Sequence, residues 1–451
     1  MAKRKTNYVC QNCGATFSKW SGKCENCGEW NTLIEQIVDL EESGKNALAQ
    51  GKLSGKKLES VSIDDITPSD ASARFSTGFK DLDKVLGGGF LRGSVSLLTG
   101  QPGIGKSTLL MQICSKISKE VPVLYISGEE SAGQVKLRAK RLGAGSKDLN
   151  FANSTSGNDI AKTIESGDFK FVVVDSIQTL SLAELTSAPG SVSQVTNCGN
   201  LIIRAAKASD TAVVIVGHVT KEGTLAGPKV LEHLVDVVIN FEGDRYGGFK
   251  TVRAIKNRFG STMEVAIFEM TEDGLSEVKD PSATLLAERQ NTDGSIILAT
   301  LEGNRPLLVE IQALATTTTF GYPKRACSGY DINRLNLLIA VLERRTKLKL
   351  SDKDIYINVV GGIKVQDSAA DLAVCMAIAS AVAKRKLSEK YVVFGEVGLG
   401  GEIRSAFRPD QRISEAKKLG FTHAIGPATV KDPFVYKVKD LRDTLIKYMN
   451  N

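Results

Sequence analysis

The sequence predicts an α/β protein in three parts: a small zinc-ribbon-like module, a P-loop domain with a mostly parallel sheet, and a second α/β domain. Three observations predict it. Two C-x-x-C pairs stand within the first 27 residues, short Val/Ile runs alternate with helical patterns over residues 61–280, and a further alternation fills residues 281–451. A chain of 451 residues is too long for one ordinary core, so two or three domains agree with its length. With 42% hydrophobic and 24% charged residues, the composition is that of a globular protein. No apolar run approaches the roughly 18–20 residues that span a bilayer. The N-terminal MAKRKTNYVC has no apolar stretch behind its charged start. The expectation is a cytoplasmic protein with no signal peptide and no membrane anchor. A net charge of +7 is compatible with a polyanionic partner without proving one.

The first element, residues 1–34, carries Cys10, Cys13, Cys24 and Cys27, as CQNCG, ten intervening residues, then CENCG. Two such knuckles, each followed by a glycine, supply four thiolates for tetrahedral Zn²⁺. A redox dithiol needs one pair only. So short a segment cannot bury a core unaided, so metal-driven folding is expected. Trp20, Trp30, Lys19 and Lys23 are candidates to face DNA or a partner domain. The other cysteines, Cys114, Cys198, Cys327 and Cys375, lie among apolar neighbours and read as buried thiols. Residues 35–60 are polar and read as a linker.

The second element, residues 61–280, contains SVSLLTG, PVLYIS, FVVVDS, AVVIVGH and DVVINFEG, continuous apolar runs of the kind found in a parallel sheet covered on both faces. TVRAIKNRFG and MEVAIFEM follow as further strands. GQPGIGKST fits G-x-x-x-x-G-K-[ST] between a strand and a helix, the context a phosphate loop requires. Gly100, Gln101, Pro102, Gly103, Ile104, Gly105, Lys106, Ser107 and Thr108 are therefore expected to bind ATP. Backbone N–H groups and the helix N-terminus would cradle phosphate, with Lys106 on the β- and γ-phosphates and Ser107 on Mg²⁺. Asp175 ends the strand FVVVDS, which places its carboxylate beside the Mg²⁺, directly or through water. Glu129 in YISGEES is the candidate to orient the attacking water, with Glu130 as its rival. His218 ends AVVIVGH and either senses the γ-phosphate or fills a strand end. In KNRFG, Lys256 and Arg258 share one face of a strand end, which suits phosphate contact or a charged edge that resists aggregation.

In the third element, SIILATLEGNRPLLVEIQALA reads as two strands around a turn at Gly303–Asn304. NRLNLLIAVLERRT is a helix, IYINVVGG a strand, AADLAVCMAIASAVAKR a helix, YVVFGEVGLGGEI a strand, ISEAKKLG a helix and HAIGP a strand.

Together the paired cysteines, STGFKDLDKVLGGGFLRGS, YISGEES, GHVTKEG, KNRFG and the C-terminal α/β domain resemble the RadA (Sms) family of bacterial DNA repair proteins, over essentially the whole chain. The resemblance implies a RecA-like central domain and a hexameric ring similar to DnaB-type helicases. It implies nucleotide between subunits, with Lys256 and Arg258 serving the neighbour's ATP. It also implies a DNA-dependent ATPase that extends strand exchange by branch migration, with single-stranded and branched DNA and a RecA-type recombinase as partners. The C-terminal domain is similar to the Lon protease domain, whose site needs a Ser nucleophile and a Lys base. Here Ala369 falls at the nucleophile position, beside Ser368, and the lysine position falls near Asp410, with no lysine between Arg404 and Arg412. Proteolysis is therefore not expected, and the domain reads as a DNA-binding scaffold. Arg325, Arg334, Arg344, Arg345, Lys347 and Lys349 are its candidate phosphate contacts. Two alternatives stand beside the motor: an ATP-switched recombination mediator without translocation, and an ATP-dependent protease.

Overall fold

The paired-cysteine segment is too short to bury much apolar surface, and three short antiparallel strands organise it. They are β1 (Arg4–Cys10), β2 (Thr16–Phe17) and β3 (Leu33–Asp39), in the order β2-β1-β3. Register is set by Tyr8 opposite Phe17 and Cys10 opposite Leu33. The computed structural model describes residues 4–10, 15–26, 28–30, 32–39, 62, 73–218, 228–243, 248–318 and 321–449. β3 thus runs into the segment read from sequence as linker, whose residues 40–60 lie outside the described residues, as do Cys13 and Cys27.

The chain forms two compact units: residues 1–242, 252–262 and 271–275, and residues 243–251, 263–270 and 276–451. Sequence patterning places boundaries after residues 34, 60 and 280. Between the two compact units the chain passes more than once.

In the first unit a small hairpin of β4 (Arg74–Phe75) and β5 (Phe90–Leu91) flanks α1 (Lys80–Val85). Then come β6 (Val95–Gly100), α2 (Lys106–Ile117), β7 (Val123–Ser127), α3 (Ala132–Arg141), β8 (Leu149–Asn153), α4 (Gly157–Glu165) and β9 (Phe171–Asp175). α5 (Val192–Ser209), β10 (Ala212–His218), α6 (Pro228–Leu234), β11 (Val237–Gly243) and β12 (Lys250–Asn257) follow. The strands lie in the order β12-β11-β6-β10-β9-β7-β8, and the pairs from β11 to β8 are parallel. β6, β7 and β9 are buried at every position, as continuous Val/Ile runs require when helices cover both faces. β8, LNFAN, was not legible as a strand because it is a half-exposed edge without an apolar run. Local signals start the helices: Ser131 and Gln134 form a reciprocal capping box on α3, and Ser156 and Ser191 cap α4 and α5. α5 also receives the N-terminal module, since the Glu35 carbonyl accepts from Ser193 Oγ at 2.9 Å and Asn197 Nδ2 at 3.1 Å. One consequence of parallel pairing matters most. Gly100, Ser127, Asp175 and His218 all close their strands at the same carboxyl edge, where α/β sheets bind ligands.

β13 (Val265–Thr271), β14 (Gly274–Glu277) and α7 (Pro281–Leu286) lead into the second unit. β15 (Ser295–Glu302) and β16 (Arg305–Thr317) form the expected hairpin, with Glu302 opposite Arg305 and Gly303 at φ 58 in the turn. β17 (Arg325–Ser328), α8 (Ile332–Val341), β18 (Lys353–Val359), α9 (Asp371–Ala383) and β19 (Tyr391–Val393) come next. β20 (Glu396–Val397), β21 (Ile403–Arg404), α10 (Pro409–Lys418), β22 (His423–Pro427), β23 (Val435–Val438) and α11 (Leu441–Met449) complete it. The mixed sheet runs β17-β18-β16-β15-β19-β22-β23. α9 is buried from Asp371 through Ala381, so it lacks an amphipathic pattern and forms the centre of this core. YVVFGEVGLGGEI is not one strand: three residues pair in the sheet, and Glu396–Val397 turns aside to pair with Ile403–Arg404. NRLNLLIAVLERRT ends as an α-helix at Val341 and continues through a π turn, Leu342–Thr346, closed by Lys347 at φ 63. Among the described residues no helix is long and apolar enough to cross a membrane.

Candidate nucleotide site

The phosphate loop is shaped by what glycine permits. A Cβ on Gly100 would stand 2.5 Å from the Phe241 carbonyl oxygen, so no side chain fits there. Gly105 caps α2 in the left-handed region at φ 115, no side chain caps the first turn, and no acidic residue occupies it. The first N–H groups and the positive end of the helix dipole are left for an anion. Ile104, Lys106 and Thr108 are buried, while Gln101, Pro102 and Gly103 form the exposed rim. Lys106 folds back to donate to the Gly100 carbonyl at 2.8 Å and the Gln101 carbonyl at 3.1 Å. Burial lowers its ammonium to about 8, against the pull of Asp175 and Glu129. Neutral carbonyls are weaker partners for an ammonium than phosphate oxygens, so a polyphosphate can take their place.

Ser107 Oγ donates to Asp175 Oδ2 at 2.8 Å, and Tyr125 OH donates to the same oxygen at 2.5 Å. A hydroxyl and a carboxylate side by side at the phosphate loop are a hard-oxygen donor set, which fits Mg²⁺. Glu129 stands at the same edge. Its Oε1 accepts from Ser176 Oγ and lies 3.3 Å from His218 Nε2. The His218 contact above all, helped by Ser176 and Lys106, holds the Glu129 carboxyl down at about 2. Glu130 is oriented otherwise, its carboxylate paired with the Arg138 guanidinium of α3. Gln178 Nε2 donates to the His218 carbonyl at 3.4 Å. His218 Nδ1 and Gln178 Oε1 are buried without a hydrogen-bond partner, two polar atoms beside the site that its own side chains leave unsatisfied. Tyr125, Ser176, Gln178 and Arg138 were not singled out from the sequence. Only Tyr125 carried a signal: a phenol inside a fully buried strand needs a partner.

Lys256 and Arg258 do not join this cluster. The Lys256 ammonium caps the end of α6, donating to the carbonyls of Glu232 at 2.8 Å, His233 at 3.2 Å and Val235 at 2.8 Å. Burial and the neighbouring Arg258 lower its pKa. Arg258 pairs with the buried Asp236 carboxylate at 3.0 Å, and Asp236 in turn accepts from the N–H of Val95, the first residue of β6. KNRFG therefore lies at the opposite end of β6 from Gly100.

At the N-terminal module, Cys10 and Cys24 are buried, and both open the same turn: Cys10 N–H donates to the Ala15 carbonyl and Cys24 N–H to the Glu29 carbonyl. Two buried thiols on matching knuckles fit a thiolate metal site.

In the second unit two of the expected phosphate contacts are tied to the fold. Arg325 is turned inward, its guanidinium held by the Lys353 and Leu350 carbonyls and its pKa lowered by burial. Arg334 pairs through two nitrogens with the fully buried Asp371, which holds it above its ordinary value. Both are half-buried, with most of their donors engaged inside the fold. Arg344, Arg345, Lys347 and Lys349 are exposed around the π turn. Ala369 is fully buried, Ser368 is exposed beside it, and Asp410 is exposed at the start of α10. The neighbouring cation is Arg412, buried and bonded to Asp367, the Ala299 carbonyl and the Phe407 carbonyl.

Three family descriptions match parts of the chain: AAA domain at residues 65–224, Rubredoxin metal binding domain at residues 8–35, and Subunit ChlI of Mg-chelatase at residues 318–430. The chain is 46% identical over 430 residues to the DNA repair protein RadA of Pseudomonas aeruginosa, covering 95% of this chain and 94% of that one. It is 47% identical over 434 residues to the DNA repair protein RadA of Bacillus subtilis, covering 96% and 94%. It is 44% identical over 460 residues to that of Escherichia coli, covering 99% of each. The chain belongs to the RadA family. The three-part α/β architecture expected from the sequence agrees with these descriptions: a metal-binding module, an AAA ATPase domain that carries the P-loop, and a C-terminal domain matching the ChlI description.

Proposed function

We propose that this chain is a DNA-dependent ATPase that assembles as a hexameric ring and acts as a helicase and branch-migration factor on recombination intermediates. One observation carries the ring. β6 holds the phosphate loop at its carboxyl end, while Arg258 is tied to Asp236 beside the first residue of that strand. From Val95 to Gly100, at about 3.3 Å per residue, the two ends are about 16 Å apart. Arg258 and Lys256 thus lie too far from their own phosphate loop to stabilise the transferring phosphate, and a neighbouring subunit's ATP is the target this distance favours.

Within one site, the loop N–H groups and Lys106 bind the β- and γ-phosphates. Ser107 and Asp175 would hold Mg²⁺, which would supply neutralisation of charge on the phosphate. Glu129 orients the attacking water. The His218 and Ser176 contacts keep the Glu129 carboxyl low and therefore ionised, able to accept a proton from that water. His218 links that carboxylate to β10, so γ-phosphate loss alters a strand end. Cys10, Cys13, Cys24 and Cys27 hold Zn²⁺, and exposed Arg344, Arg345 and Lys347 contact the phosphates of single-stranded and branched DNA. A RecA-type recombinase is the protein partner, and the cytoplasm the compartment.

Mixing two inactive variants tests the ring. Lys106→Ala subunits keep Arg258 but lose their own site, and Arg258→Ala subunits do the reverse. In a one-to-one mixture, about a quarter of interfaces pair an intact loop with an intact arginine, and ATP turnover should return to about that fraction of wild type. A mixture as inactive as either variant alone, with the oligomer confirmed by light scattering, would mean Arg258 serves its own chain or none.

A further inference from the structure

We infer that Tyr125 is a positioning residue for the metal-binding carboxylate: its phenol hydroxyl fixes Asp175 so that Asp175 and Ser107 meet a divalent cation in one arrangement. The inference rests on the reading of this site as a Mg²⁺-dependent ATPase and names a residue that reading does not require. β7 is buried at every position, and Tyr125 is only 1% exposed. A phenol there must find a partner or pay a desolvation cost. Register supplies the partner. Ser127 lies opposite Asp175 on the neighbouring parallel strand, so Tyr125, two residues back, points to the same face as Asp175. Its hydroxyl reaches Asp175 Oδ2 at 2.5 Å, and Ser107 Oγ reaches the same oxygen at 2.8 Å.

The two donors are not equivalent. Ser107 is half-buried in the phosphate loop, and its hydroxyl is itself a ligand for a hard cation. When its oxygen serves the metal its proton can still reach Asp175, but its position is then set by the cation. Tyr125 is enclosed in the sheet and has no other acceptor among its hydrogen bonds, so its hold on the carboxylate does not depend on where the cation draws Ser107. Partners that orient a ligating carboxylate typically govern metal affinity by about 10- to 100-fold.

The test is Tyr125→Phe in the full chain, which keeps the ring and removes one oxygen. Binding of a fluorescent N-methylanthraniloyl ATP is followed against MgCl₂ concentration and, separately, in EDTA. The expected result is a half-saturating Mg²⁺ concentration raised about tenfold. Nucleotide affinity in EDTA and the thermal midpoint in EDTA should stay at wild-type values, and Mn²⁺, the tighter-binding ion, should restore turnover. A half-saturating Mg²⁺ within twofold of wild type overturns the inference. So does an equal loss of affinity with Mg²⁺ and in EDTA, which would make Tyr125 a packing residue only. If the wild-type protein itself shows no Mg²⁺-dependent ATP turnover, it is the reading of the site that fails, not the role of Tyr125.

Discussion

The phosphate loop and the Lon-like dyad position are built from similar parts, yet they differ in what their cations hold. At the loop, Lys106 donates to two carbonyls of the loop itself, and Asp175 accepts from two hydroxyls. Every one of Lys106's partners can be exchanged for a phosphate oxygen. In the second unit Arg412 is 1% exposed and donates to Ala299 and Phe407 carbonyls and to Asp367. Asp367 also accepts from Thr300 Oγ1, the Leu301 N–H and the Ala369 N–H. Nothing in that network can be released without unpairing the sheet or the helix start. Arg334 with Asp371 repeats the second pattern. Lys106, which meets a ligand, is bonded to replaceable atoms, and Arg412, which holds the fold, is bonded to fixed ones.

Two substitutions should break the symmetry of that comparison in opposite ways. Lys106→Ala is expected to lower ATP turnover about 1000-fold, the scale of losing a direct donor to developing charge, while the urea midpoint barely moves. Retained turnover, or DNA unwinding driven by ATP in this variant, would sink the phosphate-loop assignment. Arg412→Ala should do the reverse. Removing one partner of a buried pair costs about 3 kcal/mol, visible as an earlier urea transition, with the KM for ATP unchanged. Ser368→Ala is its control and should change neither quantity. Protein cleavage lost on Ser368→Ala would revive a protease.

The next effect is smaller and separates two adjacent carboxylates. Glu129→Gln should slow turnover about 100-fold with nucleotide binding kept. Glu130→Gln should stay within about threefold, since its carboxylate pairs with Arg138 on α3 in a partly exposed bridge. Single-turnover rates at saturating ATP decide between them, and equal losses would show that the loop acts as a unit.

The parallel sheet and the phosphate loop were legible in the sequence because each is a local pattern: an apolar run between helical segments, or glycines ahead of Lys106. Asp175 was legible as the end of such a run. What could not be read depended on neighbours in space. Glu129 and Glu130 are chemically identical in the sequence, and His218 on β10, Ser176 after β9 and Arg138 on α3 tell them apart. Nor could the sequence show that carbonyls and a buried carboxylate from distant segments engage Arg325 and Arg334. The strand β8 escaped notice because an edge needs no apolar run.

The smallest predicted effect is a proton. Burial lowers Lys106 to about 8, so near pH 8 about half of these ammonium groups are neutral, and near pH 6.5 almost all are charged. A bound polyphosphate favours the charged form, so nucleotide binding must draw protons from solvent, and it must do so on the alkaline side. Calorimetry in buffers of different ionisation enthalpy should give an uptake of about half a proton at pH 8 and close to none at pH 6.5. Lys106→Arg supplies the comparison, because a guanidinium does not titrate in this range. Equal uptake in wild type and Lys106→Arg would place the proton elsewhere. A difference confined to the wild type would show that the loop's lysine is held at the edge of its charge until phosphate completes it, which a cation fixed by the fold has no reason to be.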